Sequence, residues 1–160
     1  MPLFQKEKLI VPDYNNKPSF TLDSSGFFFK TGYGIYTINS DLSLRYILGL
    51  LNSKLLFNYL KTIGTSLRGG YVRFWTQYLE KLPIRTIDFD NPTDKALHDR
   101  MVQLVETMLD LHKRLPNANA PHDKQTLQRQ IDSSDRQIDK LVYELYGLTE
   151  EEIKVVEEGN

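Results

Sequence analysis

Between Lys54 and Arg85 the chain carries six basic residues, Lys54, Lys61, Arg68, Arg73, Lys81 and Arg85, against one acid, Glu80. Arg68 stands in a turn-prone segment, Ser66-Leu-Arg-Gly-Gly-Tyr71, where glycines let backbone come close to a phosphate while the arginine projects. Arg73 follows Tyr71 by two residues, so an extended backbone puts both on one face, with Gln77 further along it. Asn15, Asn16 and Lys17 occupy a second turn, and Lys30 with Tyr33 borders a third. Duplex DNA asks for these residue types: Lys, Arg and small polar groups meet phosphates, while Arg, Lys, Asn and Gln read base edges in the major groove. Each also has a plain structural use. Asn15 and Asn16 are common turn formers, and Lys81 is expected to pair with a carboxylate.

Other chemistries lack their residues. Gly69-Gly70 is not followed by the Lys and Ser/Thr of a phosphate loop, and the glycines from Gly26 to Gly34 read as turns. Glu152-Ile-Lys154 matches a short nuclease pattern only inside an acidic, solvated tail. His98, His112 and His122 are dispersed and have no cysteine partners, which disfavours zinc. No Ser/His/Asp set can be argued. The expectation is a binding module without catalytic or metal-binding residues.

The elements that must position these residues follow from periodicity. Tyr46, Ile47, Leu50, Leu51, Leu55, Tyr59, Leu60 and Ile63 recur at three- and four-residue steps, which predicts one helix with a buried face, capped by Asp41 or Ser43 and stopped at Gly64. Before it, Lys8 to Val11, Ser19 to Leu22, Phe27 to Phe29 and Ile35 to Ile38 read as short strands between tight turns. The run around Trp75 and the segment Leu82 to Ile87 are expected to add to that sheet, and Tyr36, Tyr46, Tyr59 and Trp75 to lie in the core. Asn91-Pro92 opens a helix whose Leu97, Met101, Leu104, Met108, Leu111 and Leu115 step by four and three. After the loop from Pro116 to Pro121, the residues Leu127, Ile131, Ser134, Ile138, Leu141 and Leu145 repeat the stepping. Two such seams predict an antiparallel helical hairpin, either packed on the sheet or protruding as a coiled coil. Gly147 ends it, and Thr149 to Glu152 is a capping box for a last acidic helix. The fold class is therefore α+β: a small antiparallel sheet packed with one long helix, followed by a C-terminal antiparallel helical hairpin. The division falls at residues 1–90 and 91–160.

Composition narrows the class. A chain of 160 residues with 40% hydrophobic and 11% aromatic content can build a real core, so global disorder is excluded. No apolar run approaches the ~18 residues of a membrane span. Cysteine is absent, which suits a reducing cytoplasm. Net charge is −1, but residues 1–90 hold 11 Lys/Arg against 7 Asp/Glu, and residues 91–160 hold 9 against 14. A basic half beside an acidic half suits a DNA-facing part joined to a partner-facing one, although a surplus of this size is also common on ordinary surfaces.

Two phrases carry a family resemblance: Leu48-Gly-Leu-Leu-Asn-Ser-Lys-Leu-Leu56 with Tyr59, and about twenty residues later Tyr78-Leu-Glu-Lys-Leu-Pro-Ile84. With the strand-rich run before them, Phe4 to Ile87 resembles the TaqI-like C-terminal specificity domain, the target-recognition part of adenine-specific DNA methyltransferases and type IIG restriction-modification enzymes. The resemblance implies a non-catalytic module that reads a short duplex sequence in the major groove through Arg68, Arg73, Tyr71, Lys30, Tyr33, Asn15, Asn16, Lys17 and Gln77. It implies a parent enzyme, an N6-adenine methyltransferase or type IIG restriction enzyme, whose catalytic domain or subunit binds S-adenosylmethionine. The glycine loop and the Asn-Pro-Pro-Tyr-type motif of that catalytic part are missing from this chain, so no cofactor is expected here. Met-Pro-Leu-Phe begins partway into the family pattern, which suggests a truncated or split protein. The alternative is an oligomerisation or subunit-docking module acting through the helices within residues 94–146, like type I restriction specificity subunits.

Overall fold

The computed structural model describes residues 5–26, 32–38 and 41–159. The expected strand at Phe27 to Phe29, and Lys30, lie outside the described residues. Among the described residues four short strands come first: β1 (Lys8–Val11), β2 (Tyr14–Asn15), β3 (Thr21–Asp23) and β4 (Tyr33–Ile35). β1 is the centre of a three-stranded antiparallel sheet in the order β3-β1-β4, with Leu9 opposite both Leu22 and Ile35. Lys8 is fully buried in that sheet and paired with Asp23, which answers the cost of burying either charge alone. The resumed strand expected at Ile35 to Ile38 instead starts earlier, because Tyr33 and Gly34 pair with Val11 and Ile10.

The apolar stretch after Ser43 is helical but divided into α1 (Leu44–Leu51) and α2 (Lys54–Ile63). Ser43 caps the first, its hydroxyl accepting from the Arg45 amide. The break has two causes. Asn52 exchanges both amide hydrogen bonds with the Phe20 backbone, at 2.9 Å each, and so leaves the helix to hold the entry of β3. Ser53 then caps α2 by accepting from the Leu56 amide. The three- and four-residue stepping survives the break, and Leu50, Leu51, Leu56 and Leu60 are all buried.

Between α2 and the hairpin the sequence expectation needs correction. Only β5 (Val72–Arg73) is a strand, and it joins β2 in a separate two-stranded sheet. Thr76–Leu79 forms a one-turn helix, α3, and Leu82 to Ile87 runs without regular structure. Pro83 explains part of this, since it has no amide to give a ladder. Tyr46 is wholly buried as expected, but Tyr59 is 40% and Trp75 37% exposed, and Tyr36 is half-buried.

The hairpin is formed by α4 (Pro92–Arg114) and α5 (Pro121–Tyr146), followed by α6 (Glu150–Glu158). Local signals set these bounds: Asn91 accepts from the Thr93 and Asp94 amides, Gly147 adopts a left-handed φ of 64° after α5, and Thr149 with Glu152 completes the capping box. The base of the hairpin belongs to the main core, where Met101, Val105, Ile138, Leu141 and Val142 join Leu9, Tyr46, Leu50 and Phe74. Gly49 lets α1 approach α4 closely, since a Cβ there would stand 2.4 Å from the Met101 sulfur. The far end has its own cluster of Leu111, Leu127 and Ile131. Thus the hairpin packs on α1 and α2 at one end and carries a separate apolar cluster at the other. Residue 90 marks a change of element type, and the apolar core runs across it. Among the described residues no helix is long and apolar enough to cross a membrane.

Candidate nucleic-acid interface

Thr65 to Arg73 folds back on itself as a tight hairpin. The Leu67 amide donates to the Tyr71 carbonyl at 2.6 Å, the Arg73 amide to Thr65 at 3.2 Å, and Ser66 bridges Val72. Gly69 and Gly70 make the reversal at φ of 82° and 77°, a region that side chains rarely adopt. Arg68 sits exposed at this tip, with no ion pair among the described residues. The glycine pair leads into a strand and not a helix, so it does not fit a cradle for a cofactor phosphate or carboxylate.

Strand alternation then sorts the next residues. Val72 and Phe74 are buried, at 1% and 0% exposure, while Tyr71, Arg73 and Trp75 face the other way. Register places Tyr14 of β2 directly opposite Arg73. The Tyr14 ring meets the Tyr71 ring edge-on at 5.8 Å and lies 5.6 Å from the Arg73 guanidinium carbon. The Trp75 ring lies 5.2 Å from the same carbon and stacks on Tyr78 at 6.2 Å. Asp13 accepts from Arg73 Nη1 at 2.7 Å, and its carbonyl accepts from the Phe74 amide at 2.9 Å. The Tyr78 hydroxyl bonds Thr65 at 2.6 Å; that bond, with a smaller one from Gln77, lowers its pKa from the usual phenol value. Tyr14 is 51% exposed, so the outer face of this corner is an open aromatic strip with an arginine set into it.

The sequence candidates distribute unevenly around it. Arg68, Tyr71 and Arg73 share the corner with β2. Asn15 is part of β2, and its side chain is occupied locally, donating to the Ser19 hydroxyl at 2.9 Å and accepting from the Asn16 amide at 2.8 Å. Asn16 and Lys17 are exposed in the following turn. Lys17 borders a groove of about 230 Å³ with Lys54, Lys61 and Glu157. Gln77 is exposed on α3. Tyr33 belongs to the three-stranded sheet and packs partly against the core. Lys30 cannot be placed.

Tyr14, Trp75 and Asp13 join this corner without being among the sequence candidates. The signal for Trp75 was present, since residues 71, 73, 75 and 77 follow one period-two face. Size and hydrophobicity assigned it to the core instead. Tyr14 and Asp13 join only through pairing across more than fifty residues, which no local pattern reports.

Charge also redistributes. Lys54 pairs with Glu157 at 2.5 Å and lies 3.8 Å from Asp139, while Lys61 donates to the Gly159 carbonyl at 3.4 Å. Arg85 holds Asp94 through two contacts of 3.1 and 3.2 Å and donates from Nε to the Leu145 carbonyl at 3.1 Å. Half of the basic residues between 54 and 85 therefore fasten the acidic C-terminal part to the rest. Lys81, expected in an ion pair, is exposed and has none among the described residues. His98 is a core histidine, packed 5.1 Å from both Tyr46 and Phe89, its Nε2 accepting from the Ser43 amide. Among the described residues no three His, Asp or Glu side chains converge as a metal-binding group.

The comparisons agree with the sequence phrases. The family described as the TaqI-like C-terminal specificity domain matches residues 1–84. The type II restriction enzyme and methyltransferase RM.Eco57I of Escherichia coli is 31% identical over 95% of this chain, which spans 16% of that protein. The type II methyltransferase M.HincII of Haemophilus influenzae is 36% identical over 44% of this chain and 14% of its own length. M.PaeR7I of Pseudomonas aeruginosa, also a type II methyltransferase, is 26% identical over 63% of this chain and 18% of its own length. The chain thus spans about a sixth of the curated relatives it matches. With residues 1–84, more than half of the chain, matched, this chain belongs to the TaqI-like C-terminal specificity domain family.

Proposed function

We propose that this chain is the sequence-specific duplex DNA recognition module of a restriction-modification enzyme, reading the major groove without catalytic residues of its own. The observation that carries the reading is the corner of β2 and β5. It offers Arg68, which has no ion pair among the described residues, on a glycine turn, together with exposed Tyr14 and Trp75 around a half-buried Arg73. Positive charge without a carboxylate partner suits a phosphate, and a two-stranded ribbon has the width the major groove admits. Methyl transfer from S-adenosylmethionine to adenine N6, and any strand cleavage, would belong to a separate domain or subunit of the parent enzyme.

The test is selection of the chain on a random-sequence duplex pool, followed by anisotropy titration at two salt concentrations. An enriched motif with affinity falling steeply as salt rises is expected. No binding at low salt would sink the reading.

Subunit docking through the hairpin is the second reading, favoured by the far end of the hairpin, where Leu111, Leu127 and Ile131 form a core separate from the main one. Sedimentation decides it: a strict monomer with no affinity for a catalytic subunit removes this role.

A further inference from the structure

We infer that Arg73 reads a guanine, and that Asp13 is the positioning residue that holds it for this task, while Arg68 binds phosphate. This assignment rests on the proposed duplex-binding role and divides the labour within it.

Two arginines five residues apart stand in opposite electrostatic settings. Arg68 is exposed and has no carboxylate neighbour among the described residues, so its full charge is available to an anion. Arg73 is neutralised by Asp13 at 2.7 Å, with the two side chains 31% and 33% exposed. A phosphate approaching Arg73 would meet the Asp13 carboxylate as well, so this pair is a poor phosphate ligand. A guanine edge presents two neutral acceptors, O6 and N7, and needs a planar pair of donors rather than net charge. Arg73 has five N–H groups, one of them committed to Asp13, and among the described residues the others have no acceptor.

Orientation points the same way. The guanidinium is bounded by Asp13, by the Tyr14 ring at 5.6 Å and by the Trp75 ring at 5.2 Å. A side chain held by an ion pair and two ring contacts loses little further rotamer freedom when it docks, which favours a fixed two-bond contact. The backbone of Asp13 is itself tied to this segment, because its carbonyl accepts from the amide of Phe74, the residue after Arg73. Adenine presents one acceptor and one donor in the groove, so the same fork would meet one unmatched N–H there.

The experiment repeats the duplex selection and salt titration with the wild-type chain and with Arg73→Lys, Asp13→Asn and Arg68→Ala. The wild type should enrich a motif containing guanine. Arg73→Lys keeps the charge and loses the planar fork. It should lose discrimination at one guanine position by roughly 5- to 150-fold, with the rest of the motif and the salt slope unchanged. Asp13→Asn should blur the same position by a smaller factor, and it carries the test alone if the arginine variant fails to fold by circular dichroism. Arg68→Ala should weaken binding evenly across sequences and reduce the salt slope by about 1. An unchanged motif in both Arg73→Lys and Asp13→Asn would overturn the guanine assignment while leaving the DNA reading intact. A wild-type chain that enriches nothing overturns the DNA reading itself.

Discussion

The corner of β2 and β5 and the base of the hairpin each use an arginine against an aspartate, yet the two arrangements have different ends. Arg85 spends its donors within the molecule: on both oxygens of Asp94, on the Leu145 carbonyl and on Thr86. Three stretches of chain meet there, and the Tyr46 hydroxyl closes the arrangement by donating to the Arg85 carbonyl at 3.0 Å, its pKa raised chiefly by burial. Arg73 spends one donor on one carboxylate and lies against two exposed rings. An arginine whose donors are nearly all used within the molecule is a fastener. One that is aimed but unspent can meet something outside. The contrast separates basic residues by what surrounds them, which net charge cannot do.

Substitutions can break or sharpen that contrast. The largest effect belongs to the hairpin base. Leu141→Ala should cost about 2–5 kcal/mol in denaturant unfolding, because the side chain is 2% exposed inside the core shared by both halves. A small cost would mean that the hairpin is not integral to that core. Next, Arg85→Ala should lower the melting temperature by about 2–4 °C, a typical fall for ~1 kcal/mol in a chain of this size, while leaving the selected DNA motif intact. Arg73→Ala should show the reverse pattern. Equal losses of stability for the two arginines would erase the distinction between fastener and open edge.

A pH effect comes from Asp139, which is 3% exposed on α5 and accepts from the Lys54 amide at the start of α2. Burial pushes its pKa up to about 6, with Asp135 and Glu157 adding and the Lys54 amide and ammonium opposing. A carboxyl group raised on folding from 3.8 contributes stability that is complete below that value and lost as pH climbs from there to about 6. Asp139→Asn keeps the acceptor and should flatten that part of the stability profile, leaving the variant no less stable than wild type at pH 7.5. Urea midpoints at pH 4.5, 6 and 7.5 would show it; an unchanged slope between 4.5 and 6 would refute the role. The smallest effect on stability is expected for Arg68→Ala, within about 0.5 kcal/mol, since the residue is exposed and has no ion pair among the described residues. A larger loss would make Arg68 a structural residue.

Much of this fold was legible in the residues themselves, because capping and periodicity act over three or four positions. Asn91-Pro92, Gly147 and the Thr149 box mark helix ends by satisfying free backbone groups locally, and the seam from Leu127 to Leu145 needs only its own stepping to be read. The glycine turn at Arg68 was legible for the same reason. Tertiary structure decided the remainder, where partners are far apart in the chain. The helix divides because Asn52 finds Phe20, 32 residues away. Lys54 becomes a fastener because it meets Glu157, 103 residues away, and Arg73 acquires its orientation from Asp13, 60 residues back. Trp75, read as core by its size, is left partly open by the strand alternation that buries Phe74. A side chain's chemistry is written in its type, but whether that chemistry remains available depends on which distant groups the fold brings against it.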